Sequence, residues 1–429
     1  MPRFVRCLCI FFALAVSVLA QEATPYPHKA TPVKIDKHLL LFPDAIVLEQ
    51  WPHTLSPASP PQNLKMANPG QCMRVGIIAT GDDRDNYLAK TQLSYRVEFA
   101  GQSQNHPLEP LAAIKRIKPQ GTDFVNAMLM SADVPPPDMA MASIGASAES
   151  WCVPADAQDG TATIDAEAET PDGHKKLASA KIQIESFESG TRRLFKDTTE
   201  LDAFAQGYHW QPNPARLYPD LLFYSADKNL RSQTGSLETT ATFISSGLKA
   251  NPAAAHDFMT RIAAQSGFTR AFGLLILLNS GDDVDPVLKT MSDADQKMFA
   301  NHPVLPDPFD LTHVEDIGTR LDMLWSIFMS TGQLAPMQKI ASTFAWRNDW
   351  EEFDKARKSA NPPKEWTSAI GRAVGYGAAG WAMGSFQRTD PLAADYIEFM
   401  IASPDTPDPV KAELKMLQFD PAFKYPETK

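Results

Sequence analysis

The most unusual stretch of aromatic and polar side chains in this sequence begins at residue 208. Tyr208, His209 and Trp210 are consecutive, and Tyr218 and Asp220 follow shortly after them. A histidine with a nearby carboxylate can move protons to and from a substrate, and aromatic rings can stack on sugars or peptides. The same rings also suit a filled seam between two packed parts of a protein, because each has an apolar body and a polar tip. We therefore interpret these five residues as a candidate ligand-binding site, with a filled seam as the alternative.

The sequence contains no motif of known catalytic chemistry. It has no Gly-x-Ser-x-Gly elbow and no phosphate-binding glycine loop, and its two Ser-x-x-Lys patterns, at Ser225 and Ser246, are too short to be specific. The nine histidines form neither His-x-His nor His-Glu-x-x-His, so the sequence predicts no metal site. We expect no catalytic residue, no metal and no cofactor. Whether the chain is an enzyme stays open, and the balance favours a non-enzyme.

The first twenty residues have the pattern of a secretory signal peptide. Arg3 and Arg6 precede an apolar run over 7–19, and small residues lie just before Gln21, where a signal peptidase would cut. Because Gln21 takes the place that a lipid-modified cysteine would need, we expect no lipid anchor. The interpretation is a soluble protein exported to the periplasm or the extracellular space, with no membrane span once the signal is removed.

Two cysteines, Cys72 and Cys152, remain after the predicted cleavage. An even pair in an oxidising compartment predicts a disulfide bond, and two buried free thiols are the alternative. Closing a loop of about eighty residues would stabilise the fold by roughly 4 kcal/mol in the chain-entropy model.

The charge of the chain excludes one class of partner. Its formal charge is −11, and removing Arg3 and Arg6 would bring it to −13. Sequence-independent binding to nucleic acid needs an excess of Lys and Arg, so we expect no nucleic-acid partner. Adhesion to an anionic membrane surface is disfavoured for the same reason.

The first half of the chain predicts β-structure. Apolar residues alternate with polar ones over 93–99, and again over 162–168 and 178–184 on either side of the turn at 171–173. Several half-buried antiparallel strands predict a β-sandwich of immunoglobulin-like architecture. Trp151 departs from the immunoglobulin pattern because it adjoins the second cysteine instead of lying deep between the two.

The second half predicts helices. An Asn or Asp followed by Pro favours a helix start, with the acid or amide as cap and Pro in the first turn. Residues 312–315 match a capping box that would begin an apolar helix, and Gly332 would end it. The Gly- and Ala-rich segment 369–386 predicts a tightly packed internal helix. The Asn-Pro and Asp-Pro starts begin at Asn251, Asp285, Asp390 and Asp408.

The fold class predicted is therefore α+β multidomain, an N-terminal immunoglobulin-like β-sandwich followed by an irregular all-α helical domain. We expect a non-catalytic binding or scaffold protein that acts on another protein or a cell-envelope component. The alternative is a secreted hydrolase whose site lies in the junction, with the aromatic residues around His209 lining its cleft and Asp220 as its base. The predicted divisions are a signal peptide (1–20), a flexible leader (21–34), the β-sandwich (35–190), a junction (191–213), the helical domain (214–420) and a tail (421–429).

Overall fold

The computed structural model describes residues 34–44, 63–80, 90–108, 112–113, 142–146, 150–300, 304–359 and 367–419. The predicted signal peptide and C-terminal tail, and the predicted leader except Lys34, lie outside these residues. Within them, the strands come first and the helices follow, so the chain is a mixed α+β protein. No helix among the described residues is long and apolar enough to cross a membrane.

The strands of the described segments form two sheets. One has the order β1-β3-β7-β6, with β8 also paired to β3, and the other has the order β2-β10-β9-β4-β5. The paired neighbours are antiparallel except for β2 and β10, which run parallel. The strands are β1 (Lys34–Pro43), β2 (Met66–Ala67), β3 (Cys72–Thr80), β4 (Gln92–Phe99), β5 (Gln102–Leu108), β6 (Ala112–Ala113), β7 (Ala142–Ala146), β8 (Trp151–Cys152), β9 (Gly160–Thr170) and β10 (Gly173–Ile184).

The predicted hairpin at residues 162–184 is present as β9 and β10. Its ladder closes at Thr170 and Gly173, where Gly173 has a φ of 109° that a residue without a side chain adopts at low cost. Ala162 and Ile164 on β9 and Ile182 on β10 are buried, as their alternation with polar residues predicts. The sequence pattern therefore fixes which face of this hairpin meets the core.

The two sheets share one apolar core, to which Val75 of β3, Tyr95 of β4 and Ile164 of β9 all contribute. The Sγ atoms of Cys72 and Cys152 lie 1.97 Å apart, the distance of a disulfide bond. These cysteines are direct partners on β3 and β8, which belong to the same sheet, whereas the immunoglobulin disulfide joins two sheets. The immunoglobulin-like part of the prediction is therefore not confirmed.

The helices follow from residue 187 onward. Short 3₁₀ turns at Pro214–Arg216, Val314–Asp316 and Thr343–Trp346 lead into the helices that follow them. The helices are α1 (Phe187–Thr191), α2 (Thr198–Gly207), α3 (Leu217–Ala226), α4 (Lys228–Ser232), α5 (Ser236–Lys249), α6 (Pro252–Ala263), α7 (Gly267–Ser280), α8 (Asp285–Leu288), α9 (Asp293–Ala300), α10 (Ile317–Thr331), α11 (Leu334–Ser342), α12 (Arg347–Arg357), α13 (Ser368–Thr389), α14 (Pro391–Ala402) and α15 (Asp408–Phe419).

Two of the four predicted Asn/Asp-Pro caps have the expected geometry. The Asn251 side chain accepts a hydrogen bond from the N–H of Ala254, and Asp390 accepts from two amides in the first turn of α14. Asp285 and Asp408 instead lie inside their helices, as the first residue of α8 and of α15. At the other end of a helix, Gly332 ends α10 with a φ of 68°, as predicted.

The predicted capping box at 312–315 is wrong. The Thr312 hydroxyl and N–H both donate to the side chain of Asp310, so Thr312 is engaged by the turn before it. The chain then forms a 3₁₀ turn, and α10 begins only at Ile317. Asp310 therefore takes the Thr312 N–H that the Glu315 side chain would accept in a capping box.

The helices form two apolar clusters. The first cluster is built mainly from α3, α5, α6 and α7, with Phe258 and Phe272 among its fully buried side chains. The second is built mainly from α10, α11, α13, α14 and α15, around Phe328 and Tyr396. Met329 on α10 packs against both clusters, so α10 joins them.

Candidate ligand-binding site

The aromatic triplet at 208–210 lies in the helical part of the molecule, between its two apolar clusters. Tyr208 is buried in the first cluster, edge-on to Phe204 and Phe243. Trp210 packs against the second cluster, and its Nε1–H donates to Asp390 Oδ1 at 3.3 Å. The triplet therefore joins two groups of helices.

His209 is fully buried and paired with a carboxylate. Its Nε2 lies 2.8 Å from Asp390 Oδ2, and its ring packs on Trp210 and Phe328. Burial opposes the ionisation of Asp390, but the hydrogen bond and charge of His209 and the amides of Leu392 and Ala393 outweigh it, so the pKa of Asp390 lies below its ordinary value. This arrangement leaves no space for a substrate at the imidazole.

Tyr218, the fourth residue of the predicted site, lies apart from the others. Its hydroxyl accepts a hydrogen bond from Gln265 Nε2 at 2.7 Å, and its ring is edge-on to Phe258. Burial raises the pKa of Tyr218 above the ordinary value. These contacts hold α3 against α6 and are structural.

Asp220, the fifth predicted residue, is largely buried but reaches the wall of a cavity. It lines a cleft of about 590 Å³ between the first group of helices and the pair α10 and α13. Cavities of this size commonly hold small organic molecules. Neither His209 nor Trp210 is among the described residues that line the cleft, so the structure places Asp220 apart from the histidine of the predicted site.

The wall formed by the first group of helices carries hydroxyls beside aromatic rings. On α5, Ser236, Thr239, Thr240 and Phe243 follow the spacing of one helix face. Tyr224 on α3 lies beside them, and its hydroxyl is 3.1 Å from Ser236 Oγ. This wall can therefore contact both the apolar body and the polar groups of a ligand.

The opposite wall is formed by α10 and α13 and is more aromatic. Asp322, Trp325 and Met329 form a stripe on α10, next to the stripe that builds the second cluster. Trp381 and Phe386 project from α13, and the Phe386 ring stacks on Trp325 with 4.5 Å between centroids. Trp381 is 57% exposed, which is unusual for the largest apolar side chain and leaves its face available to a ligand.

Two carboxyl groups of the cleft have raised pKa values. Asp220 is only 4% exposed, and desolvation raises its pKa to about 7, against a smaller opposing effect of Arg216. Asp322 is reached by water inside the cleft, but the surrounding walls still desolvate it and raise its pKa above the ordinary value. Carboxyl groups that are costly to ionise in the free protein are typical of binding and catalytic sites.

Sequence reasoning missed most of this cleft. The sequence predicts only an apolar helix before Gly332 and a tightly packed internal helix over 369–386, so it assigns no ligand contact to Asp322, Trp325 or Trp381. No local signal separated Trp381 from Tyr376 on the same helix, because Tyr376 is 4% exposed and packs in the second cluster, whereas Trp381 projects into the cleft.

No group of side chains in the described segments has the composition and proximity of a metal site. No protein-family model matches the chain, and no curated protein matches it in sequence. The function must therefore be argued from the cleft itself.

Proposed function

We propose that this chain is a non-catalytic binding protein whose ligand occupies the cleft between the two groups of helices. The observation that carries the proposal is a cavity of about 590 Å³ whose walls combine exposed and stacked tryptophan rings with hydroxyl and carboxyl groups. Such a mixture of apolar surface and a few polar groups is typical of sites that bind small molecules.

We further propose that the protein works outside the cytoplasm, in the periplasmic or extracellular space. The signal-like pattern at 1–20 and the bonding distance between the sulfur atoms of Cys72 and Cys152 support this location. The predicted partner, a protein or a cell-envelope component, would supply or receive the ligand.

Titration with N-phenylnaphthylamine, an uncharged aromatic probe whose fluorescence rises in apolar sites, tests the proposed binding site. We expect saturable binding to the wild type and energy transfer from Trp325 and Trp381, because both rings line the cleft. The variant Thr240→Trp places an indole in the cleft and should abolish the binding.

Thr199→Trp is the matched control, since Thr199 is exposed on α2 and does not line the cleft. This variant should bind the probe as the wild type does, and circular dichroism should show that both variants are folded. Equal binding by wild type and Thr240→Trp, or no saturable binding by the wild type, would overturn the proposal.

A hydrolase that uses Asp220 is the second candidate, and one observation favours it. A carboxyl group whose pKa is about 7 can transfer protons efficiently near neutral pH. Turnover of aryl esters, aryl glycosides or peptides that both Thr240→Trp and Asp220→Asn abolish would favour this candidate. Unchanged substrates together with saturable probe binding would favour the binding protein.

A further inference from the structure

The cleft has a one-sided charge. Asp202, Asp220 and Asp322 line it, whereas no Lys, Arg or His is among its described lining residues. The favourable charge acting on Asp220 comes from Arg216, which lies outside the lining. Arg216 is already engaged, because its guanidinium donates to Glu200 at 2.9 Å and stacks on the Phe195 ring. An anionic ligand would therefore meet carboxyl groups without a compensating cation.

Asp220 lacks a hydrogen-bond partner in the described part of the chain. It is more than nine-tenths buried, and the phenol of Tyr208 behind it makes no hydrogen bond either. A buried carboxyl group without a donor is unfavourable in the empty protein. A ligand that brings a charged N–H donor into the cleft would remove this cost.

The hydroxyl groups of the cleft also present acceptors. Ser236 Oγ donates its hydrogen to the Leu230 carbonyl at 2.6 Å, and Thr239 Oγ1 donates to the Gly235 carbonyl at 2.9 Å. Ser326 Oγ on the opposite wall donates to the Asp322 carbonyl, also at 2.9 Å. Because these hydrogens are used within the protein, the hydroxyl oxygens can offer a ligand only their lone pairs, and Ser236 Oγ uses one of its own to accept from the Tyr224 hydroxyl.

The aromatic rings of the cleft also favour a cationic ligand. The exposed face of Trp381 and the half-buried Phe386 ring, which stacks on Trp325, offer the electron-rich surfaces that attract organic cations. We propose that the ligand of the cleft is an organic cation, a protonated amine carried on an apolar or aromatic body. This inference rests on the proposed binding function and names the chemistry of the ligand.

Three ligands of similar size and different charge test the proposal. Phenylethylamine is cationic, phenylethanol is uncharged and phenylpropanoate is anionic at pH 8. By calorimetry at this pH, we expect the amine to bind the wild-type protein at least about tenfold more tightly than the alcohol, and the carboxylate not to bind. Thr240→Trp should abolish the binding of the amine.

Two conservative variants assign the preference to the carboxyl groups. Asp220→Asn and Asp322→Asn should each weaken the binding of the amine by about tenfold and leave the binding of the alcohol unchanged. An amide keeps the shape of the carboxyl group and loses its charge. Binding of the amine at pH 7 should also release protons, measured by titration in buffers of different ionisation enthalpy, since a cation lowers the pKa of a neighbouring carboxyl. A merely structural role of Asp220 would not produce this proton release.

A lysine side chain carries the same ammonium group as a free amine. Nα-acetyllysine amide, which keeps its side-chain ammonium group, distinguishes a partner protein from a free amine in the same titration. Tighter binding of this derivative than of phenylethylamine would assign the site to a lysine of a partner protein. Phenylethylamine binding as tightly or more tightly would assign it to a small molecule.

Failure of this inference is distinct from failure of the binding function. Binding of the alcohol or the carboxylate as tightly as the amine, or no binding of the amine, would overturn the cation proposal. If N-phenylnaphthylamine still binds and Thr240→Trp still abolishes it, the binding function stands. Loss of both results would remove both proposals.

Discussion

At the scale of single residues, Asp220 opposes folding in its charged form. It is almost entirely withdrawn from water and receives no hydrogen bond within the described segments, so ionisation costs more in the folded protein than in the unfolded chain. Natural proteins retain such groups where a ligand or a reaction uses them. The cost should be measurable as a pH dependence of stability.

We predict that Asp220→Asn stabilises the protein at alkaline pH and not at acid pH. Folding raises the pKa of Asp220 from 3.8 to about 7, so the wild type loses stability as the pH rises from 4 through 7, while the amide does not titrate. The variant should therefore gain about 4 kcal/mol relative to the wild type between pH 4 and pH 8. Urea unfolding across this range measures the difference.

Asp165→Asn provides a comparison of opposite sign. Hydrogen bonds from Ser179 and Lys176, together with Arg96, lower the pKa of Asp165 to about 2, so its charged form stabilises the fold. This stabilisation is present above pH 4 and disappears as the pH falls toward 2, so the variant should be less stable than the wild type only at the higher pH. If both variants had the same pH dependence, the assigned environments would be incorrect.

The sequence predicts Asp220 and His209 in one site, but the fold gives them different surroundings: Asp220 lines the cleft, and His209 pairs with Asp390. Both residues follow α2 within a short span, and the sequence does not show that His209 turns toward Asp390, far along the chain. The pairing depends on the packing of α14 against the start of the helical part. Side-chain partners this distant in sequence are decided by tertiary packing, which no local pattern encodes.

At the scale of elements, close packing of α13 depends on its glycines. A Cβ on Gly371 would lie 2.6 Å from the Val314 carbonyl oxygen, and a Cβ on Gly375 would lie 2.8 Å from the Trp346 ring. These small residues bring α13 close to the 3₁₀ turns at Val314–Asp316 and Thr343–Trp346. The resulting position of α13 sets where Trp381 stands in the cleft.

We predict that Gly371→Ala destabilises the protein and that Gly318→Ala does not. The first methyl group would meet backbone atoms that cannot move independently, at a cost of about 1–3 kcal/mol. The second would meet no atom within 4 Å and would gain helix propensity, up to about 1 kcal/mol. Unfolding midpoints of the two variants check this pair, and a loss of similar size in both would contradict the close approach of α13.

Helix starts were predictable where only one side chain is placed to cap the first turn. Asn251 and Asp390 each precede a proline and bond to the free amides behind it, as predicted. Thr312 matched its pattern equally well, but Asp310 lies two residues earlier and takes both of its hydrogens. In a capping box the Thr312 N–H would donate to the Glu315 side chain, so a local rule fails here because two carboxylates compete for one N–H and Asp310 obtains it.

At the scale of the whole molecule, amide side chains join the sheets to the helices. Gln211 accepts from the Lys65 N–H and donates to the Asn63 carbonyl, and Asn251 donates to the Pro69 carbonyl. Asn68, with 0% exposure, lies between β2 and the 3₁₀ turn at Pro214–Arg216. The seam that the sequence assigned to aromatic residues is thus polar on the sheet side.

The contacts across this seam were harder to predict than the change from strands to helices. The change from period-two alternation to helical spacing is visible in the sequence, and the strands do end at Ile184. The contacts across the change come from single Asn and Gln side chains, which have no periodicity. The cleft likewise depends on stripes from separate helices that only the assembled fold brings together.

We predict that Asn68→Ala loosens this seam and costs about 2–4 kcal/mol. Its Nδ2 donates to the Glu185 carbonyl at 2.7 Å, and its Oδ1 accepts from the Ala215 N–H at 3.2 Å, so alanine leaves a part-buried carbonyl and a buried N–H without these partners. Hydrogen exchange should accelerate in the segments 63–70 and 211–217 while the hairpin of β9 and β10 stays protected. Asn229→Ala, at an exposed position of α4, should change neither stability nor exchange at the seam. Faster exchange throughout both sheets in Asn68→Ala would mean that the sheets and helices open as one unit and that Asn68 holds no separate joint.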